Sequence, residues 1–162
     1  MIFITLGSQK FQFDRLLEKI DKLVEESLIC EDVFAQYGYS EYRPKYYEGK
    51  NFLDRDEFAN WMKKSDIVIT HGGTGAIIGA VKAGKKVVAV PRLAKYGEHV
   101  DDHQLQILNQ FDGMGIIAAC YELENLGECL RQVENVELCK YVSNTNTIIK
   151  SIEEYLDTIN NK

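Results

Sequence analysis

The residues with the clearest chemical potential form one short segment, His71-Gly-Gly-Thr-Gly75, directly after the apolar run at 67–70. A strand that runs into glycines and then into a helical pattern predicts a tight loop with an open helix N-terminus. Glycines let the backbone approach a ligand closely, and the unpaired N–H groups of a first helical turn attract an anion. The segment therefore predicts contacts from His71, Gly72, Gly73, Thr74 and Gly75 to a phosphate-bearing ligand.

Two familiar nucleotide-binding motifs do not fit this segment. The G-x-G-x-x-G spacing is absent, and no acidic residue suits a ribose about 20 residues further on. No G-K-[S/T] follows either, which excludes a P-loop. The alternative is structural: these glycines would only allow a tight turn and close packing of the helix.

A second polar loop follows the apolar run at 87–90 and Pro91, and it contains His99, His103 and Gln104. Together with His71, the two loops hold all 3 histidines of the chain. A single histidine most often has a structural role, whereas three at strand ends favour a ligand site.

No metal site is expected, because no cysteine lies near the histidines in sequence. Two pairs of acids remain as alternatives. Asp54 and Asp56 resemble the D-x-D of some metal-dependent sugar transferases, and Asp101-Asp102 could bind Mg²⁺. For both pairs helix capping is the better interpretation, since acids favour the first turn of a helix.

Composition limits the classes of protein that the chain can belong to. The chain has 162 residues and a net charge of −6 with no Lys/Arg cluster, which disfavours nucleic-acid binding. The 4 cysteines lack C-x-x-C spacing and suggest reduced thiols in a cytosolic protein. The N-terminus predicts a first strand rather than a signal peptide, and no apolar run approaches the roughly 20 residues of a membrane span.

Hydrophobic patterns predict alternating strands and helices. Strands are predicted at 2–6, 33–37, 51–53, 66–70, 86–90 and 115–119, and helices at about 13–28, 54–64, 75–84, 99–111, 123–132 and 144–160. This order indicates one α/β domain over 1–162, with a parallel sheet and helices on both faces. Ligands of such sheets bind at the carboxyl ends of the strands, where Gly7-Ser8, 71–75 and 91–104 fall.

The last predicted helix has an amphipathic pattern. Its apolar stripe consists of Ile148, Ile152, Tyr155, Leu156 and Ile159. Packing against its own domain is the default expectation, and docking on a partner or a membrane surface is the alternative. The polar face is mixed rather than basic, which gives direct lipid binding little support.

Four segments in this order resemble the carboxyl-terminal, donor-binding half of a GT-B glycosyltransferase, a Rossmann-like domain. They are Phe3-Ile-Thr-Leu-Gly-Ser8 with Phe11-Gln-Phe-Asp-Arg15, His71-Gly-Gly-Thr-Gly75, Lys85-Lys-Val-Val-Ala-Val-Pro-Arg92, and Glu98-His-Val-Asp-Asp-His-Gln104. The chain is most similar to small cytosolic subunits of two-part transferases. These are the catalytic subunit of the dolichol-linked N-acetylglucosaminyltransferase and its bacterial exopolysaccharide or capsule counterparts.

The resemblance implies roles for the matching residues. Gly7 and Ser8 would approach the diphosphate of a UDP-sugar, and the 71–75 segment with its helix would hold the phosphates. His103 and Gln104 would contact sugar hydroxyls. Many relatives have a Glu at the position of Gly79 that binds the ribose. Glycine has no side chain for this contact, so the ribose contact differs in this chain.

The resemblance also implies an inverting transferase without a cofactor, active with a membrane-anchored partner that carries the lipid-linked saccharide acceptor. No catalytic base is assigned, because in such enzymes the partner half usually supplies it. Galactose in bacterial polysaccharide synthesis is the first expectation for the donor sugar, ahead of glucuronate and N-acetylglucosamine. A UDP-N-acetylglucosamine transferase subunit and a non-catalytic nucleotide-sugar-binding regulatory module are the alternatives, and the chain would be peripheral at the inner face of the membrane.

Overall fold

Six short strands form one parallel sheet in the computed structural model, which describes residues 1–160. The strands are β1 (Ile2–Thr5), β2 (Val33–Gln36), β3 (Glu48–Lys50), β4 (Ile67–His71), β5 (Lys86–Val90) and β6 (Ala118–Ala119). The helices are α1 (Asp14–Glu25), α2 (Arg55–Lys64), α3 (Thr74–Lys82), α4 (His103–Gly113), α5 (Leu126–Asn135) and α6 (Thr145–Asn160). Short 3₁₀ turns lie at Ala94–Tyr96 and Leu123–Asn125.

The strand order is β3-β2-β1-β4-β5-β6, so the chain changes direction across the sheet between β1 and β4. These two strands pair in parallel, with Thr5 opposite Thr70. The loops that follow them, from Gly7 and from His71, therefore leave the sheet side by side. Such a crevice is where open α/β sheets bind ligands.

Apolar side chains fill both faces of the sheet, which confirms the predicted architecture. On β1, Ile2 and Ile4 join a core cluster with α1 and α5, while Phe3 points to the other face. That second cluster includes Ile77 of α3 and Leu108 of α4. Strands covered on both faces read as continuous apolar runs, as β1 does.

Several predicted boundaries are wrong; α5, for example, is Leu126–Asn135 rather than 123–132, because a 3₁₀ turn occupies Leu123–Asn125. The third strand is Glu48–Lys50 rather than 51–53, because parallel pairing with Phe34 and Ala35 aligns Glu48 and Gly49, whereas Phe52 remains 46% exposed. The sixth strand shrinks to Ala118–Ala119. Helix α4 begins at His103 instead of about 99, since Gly97 adopts a left-handed φ of 67° in a preceding turn.

The capping interpretation is confirmed for Asp54, whereas Asp102 stands at the N-cap position of α4 without a side-chain capping hydrogen bond. The Asp54 carboxylate accepts hydrogen bonds from the backbone N–H groups of Asp56 and Glu57, at 2.9 and 2.8 Å. The Glu57 carboxylate in turn accepts a hydrogen bond from the Asp54 N–H group, which completes a capping box. Asp102 accepts from the Ala94 N–H group at 2.7 Å and so holds the turn before α4.

The default expectation for α6, packing of its apolar stripe against its own domain, is wrong. Half or more of each stripe side chain is exposed, from 50% at Ile148 to 65% at Tyr155. The stripe is therefore an uncovered apolar surface on the described chain. Among residues 1–160, none of the helices combines the length and apolar content needed to cross a bilayer.

Candidate functional site

The loop between β4 and α3 presents an open helix N-terminus at the carboxyl edge of the sheet. Gly73 occupies the N-cap position without a side-chain cap, and the first turn contains no acid. Ile77 is the first residue of α3 whose N–H group is paired, to the Gly73 carbonyl at 3.1 Å. Within residues 1–160 the N–H groups at 74–76 have no acceptor, so they can bind an anion.

His71 forms the buried floor between two glycine loops, with 7% of its surface exposed. A Cβ atom at Gly7 would lie 2.7 Å from the ring Cε1, and one at Gly73 would lie 2.3 Å from Nε2. Only glycine therefore lets both loops approach the ring, and Gly7 also needs its left-handed φ of 72°. Ser8, which follows Gly7, is exposed on the same loop.

Burial and, second, the charge of Arg92 together lower the pKa of His71 to about 4. The imidazole is therefore neutral at pH 7. Its Nδ1 lies 3.4 Å from the Thr70 hydroxyl, whose oxygen donates to the Thr5 carbonyl at 2.8 Å. A neutral imidazole has one N–H group, so His71 can donate to a ligand only in the tautomer that places the proton on Nε2, with Nδ1 facing the Thr70 hydroxyl.

Gln104 of α4 connects the two polar loops through its amide oxygen. This oxygen accepts hydrogen bonds from the N–H groups of Gly72 and Arg92, each at 3.0 Å, and the residue is only 2% exposed. A Cβ atom at Gly72 would lie 2.7 Å from Gln104 Cβ, so Gly72 serves close helix packing. This corrects part of the prediction for Gln104, because its oxygen is not available to a sugar.

We expect Gln104→Ala to lower Tm and to weaken binding of UDP and of UDP-sugars by the same factor. Two buried backbone N–H groups would lose their acceptor, at about 1–3 kcal/mol each. Thermal melts and titrations with both ligands check this result. Gln104→Glu is the matched control, since it keeps an oxygen at the same place. An unchanged Tm with selective loss of sugar affinity would contradict the connecting role.

An ion pair that sequence reasoning missed anchors the loop at 91–102 to α1. Arg15 donates from Nη2 to Glu98 Oε2 and to the Pro91 carbonyl, both at 2.9 Å. Glu98 is 1% exposed, and its Oε2 also accepts from the Leu93 N–H group at 3.0 Å. No local pattern signals this pair, because the sheet order brings together residues 83 positions apart.

Sequence reasoning also missed Arg92, whose side chain is the largest of those that are fully buried. Its Nη2 donates to the carbonyls of Leu6 and Phe11, at 2.8 and 3.2 Å. Burial lowers its pKa to about 10, while the charge of Glu98 opposes this shift. The guanidinium therefore stays charged at pH 7 beneath the loop that contains Gly7.

His99, Asp101 and His103 form a small cluster whose ligand atoms lie within 4.8 Å of one another. The His-x-x-x-His spacing of His99 and His103 is a metal-site signal that the sequence interpretation overlooked. However, Asp101 Oδ1 already accepts hydrogen bonds from both the N–H group and Nδ1 of His103. A structural zinc site also needs four ligands. The half-exposed His103 is better explained as a polar contact at the mouth of the loop.

A groove of about 370 Å³ lies between α2 and α3, beside the open helix N-terminus. It is lined by Phe58, Met62, Gly75 and Gly79, among others. A Cβ atom at Gly75 or Gly79 would meet nothing within 4 Å. The groove therefore has free space next to the unpaired N–H groups of α3.

Two glycine loops and an uncapped helix N-terminus, meeting at the switch point of a parallel sheet, define a Rossmann-like domain with a candidate anion site. The chain belongs to the glycosyltransferase family 28 C-terminal domain family, whose model matches residues 1–159. It is thus the C-terminal, donor-side type of domain of a GT-B glycosyltransferase, as the sequence predicts.

Three curated relatives carry the name UDP-N-acetylglucosamine transferase subunit ALG13. The Candida glabrata protein is 31% identical over 83 residues, which cover 51% of this chain and 40% of that protein. The Yarrowia lipolytica protein is 26% identical over 126 residues, covering 68% and 59%. The matched part therefore spans about half the length of these relatives.

Solved structures agree with the fold. A solution structure of ALG13 superposes with a TM-score of 0.58 at 17% identity and covers 93% of both chains. The glycotransferase of kitacinnamycin gives a TM-score of 0.60 at 17% identity, over 83% of this chain and 35% of that one. At these identities the likeness establishes the fold alone.

Proposed function

We propose that this chain binds the donor of a UDP-N-acetylglucosamine transferase. One observation carries the proposal: three unpaired N–H groups at the start of α3 meet the Gly7 loop over the neutral His71. The curated relatives are named for N-acetylglucosamine transfer, and these names favour that sugar over galactose, the first expectation from sequence. Bacterial exopolysaccharide or capsule synthesis has no such support, and we do not retain it.

In this proposal the diphosphate binds between the two glycine loops. The N–H groups at 74–76 and the Thr74 hydroxyl donate to the phosphate oxygens, while Gly7 and Ser8 approach from the other side. His71, in the tautomer with its proton on Nε2, donates from below. His103, at the mouth of the second loop, binds a sugar hydroxyl.

The chemical step follows from this placement. When the bond between the sugar and the diphosphate breaks, negative charge accumulates on the leaving UDP. The open end of α3 stabilises that charge through its N–H groups and dipole, and it needs no reorganisation to do so. The acceptor hydroxyl attacks from the opposite face in an inverting transfer, with its proton taken by a base that the partner supplies.

The partner in this proposal is membrane-anchored and presents the lipid-linked saccharide. The apolar stripe of α6 is the docking element, because its side chains are half exposed and nothing in the described chain covers them. Docking would place the chain at the inner, cytoplasmic face of the membrane.

Ligand-observed NMR with UDP, UDP-N-acetylglucosamine, UDP-galactose and UDP-glucuronate tests the donor assignment. We expect all four to bind through UDP, with UDP-N-acetylglucosamine the tightest. Equal affinities for the three sugars would remove the sugar assignment, and absence of UDP binding would remove the whole proposal. Sugar binding without transfer in the presence of the partner would instead favour the regulatory module.

A further inference from the structure

The buried guanidinium of Arg92 is only partly satisfied by the protein. Its Nη2 has two carbonyl partners, but Nε and Nη1 are buried and have no hydrogen-bond partner in the described chain. Buried charges usually have a full set of partners, because an unmade hydrogen bond to a charged group is costly. The guanidinium carbon lies 5.4 Å from the centre of the Phe13 ring, but the described chain offers Nε and Nη1 no hydrogen-bond acceptor.

Arg92 lies between the loop that contains Gly7 and the loop that contains Gly72, which both face the proposed diphosphate. Its backbone N–H group shares the Gln104 oxygen with Gly72. Its side chain bonds to the carbonyls of Leu6 and Phe11, which flank the exposed segment at 8–10. The charge of Arg92 also reaches His71, whose pKa it depresses.

The nearest counter-charge is already in use. Glu98 bonds to Arg15 through both oxygens and to the Leu93 N–H group. Glu98 is therefore paired with Arg15, and among the described residues no ion pair neutralises Arg92, which leaves an excess positive charge beneath the loops. This local excess contrasts with the net charge of −6 on the chain as a whole.

The segment above Arg92 is weakly held. The side chains of Ser8, Gln9 and Lys10 are exposed and make no hydrogen bond within residues 1–160. This segment lies between Leu6 and Phe11, the two residues whose carbonyls contact Arg92 Nη2.

We propose that Arg92 is the cation of a diphosphate site, and that its unpartnered Nε and Nη1 groups donate to phosphate oxygens that enter between the two loops. This inference rests on the proposed donor function and adds to it a residue that no motif assigns. Arginine suits the role, because its planar group presents parallel donors to an oxyanion.

Affinities for inorganic pyrophosphate, UDP and uridine test the inference in Arg92→Gln and in the matched control Lys95→Gln. Lys95 is an exposed cation on the same loop, so its replacement removes the same unit of charge. We expect Arg92→Gln to weaken pyrophosphate and UDP by about tenfold or more, the effect of losing one charged hydrogen bond. Uridine affinity should not change, and Lys95→Gln should stay within about twofold of wild type.

A second measurement covers the case in which Arg92→Gln does not fold. In wild-type protein, the Nε–H resonance of Arg92 should shift on titration with pyrophosphate. Unaltered pyrophosphate affinity in folded Arg92→Gln, or an unmoved Nε–H resonance at saturation, would overturn the inference. Absence of UDP binding in the wild type, with pyrophosphate still bound at Arg92, would overturn only the nucleotide part of the proposed function.

Discussion

The isolated chain is expected to transfer almost no sugar to a lipid-linked acceptor, and to gain activity when the proposed membrane-bound partner is present. The chain supplies one set of phosphate-facing loops on one sheet. Transfer requires donor and acceptor within near-attack distance, and this positioning is worth several kcal/mol, about 7–11 in the best cases. A transfer assay with radiolabelled UDP-N-acetylglucosamine, with and without co-expressed partner, checks this. Full activity of the purified chain alone would contradict it.

The same prediction extends to the α6 stripe. Ile152→Glu with Ile159→Glu should release the chain from membranes that contain the partner, while leaving Tm and UDP affinity unchanged. Lys150→Glu is the matched control, because it also lowers the net charge by two units, on the opposite face of the helix. Unfolding of the double variant would show that the stripe belongs to the core, and equal release by both variants would point to charge alone.

His71→Ala should weaken UDP binding about 10- to 100-fold, which corresponds to about 1.5–3 kcal/mol for a hydrogen bond to a charged phosphate. Uridine binding should be unaffected, because the imidazole lies between the two glycine loops, where the diphosphate is proposed to bind. Calorimetric titration with UDP and uridine measures both effects. His103→Ala is the control and should spare UDP affinity. Unchanged UDP affinity in folded His71→Ala would remove this residue from the site.

His71 also makes a pH-dependent contribution to stability that its removal should abolish. Its pKa is about 4 in the folded chain. In the unfolded chain the value is about 6.5, so between these values the unfolded state binds more protons. Stability therefore falls as pH drops from about 6.5 to 4, by up to roughly 1.4 kcal/mol per pH unit. Urea unfolding over this range should show a smaller decline for His71→Ala; identical slopes would mean that His71 is not buried in a neutral form.

Periodicity and turn residues predicted most of the fold. Continuous apolar runs identify β1, β4 and β5, because strands buried on both faces need no polar alternation. The edge strand β3 was misplaced because it has no continuous apolar run. Its residues Glu48 and Lys50 are exposed, and only pairing with β2 makes them a strand.

Site residues could be predicted where they lie together in one sequence segment. They could not be predicted where only the order of strands in the sheet brings distant residues together. The glycine-rich segment at 72–75 predicts a loop and a helix start from the sequence alone. Arg15 and Glu98 are separated by 83 positions, so no local pattern could predict their ion pair, and Arg92 reaches the Leu6 carbonyl only because β4 places β5 close to β1. Gln104 was assigned from its loop, whereas burial in α4 turned its oxygen toward the backbone.

The most direct measurement is an amide NMR titration of the chain with UDP-N-acetylglucosamine. The largest shifts should occur at the backbone N–H groups of Gly7, Ser8, Gly73, Thr74 and Gly75. A cavity of about 620 Å³ at the opposite, amino-terminal edge of the sheet, lined by Cys30 and Trp61 among others, provides the internal comparison. Shifts confined to that cavity, or no shift in the glycine loops at saturating donor, would contradict a donor site at the β1–β4 switch point.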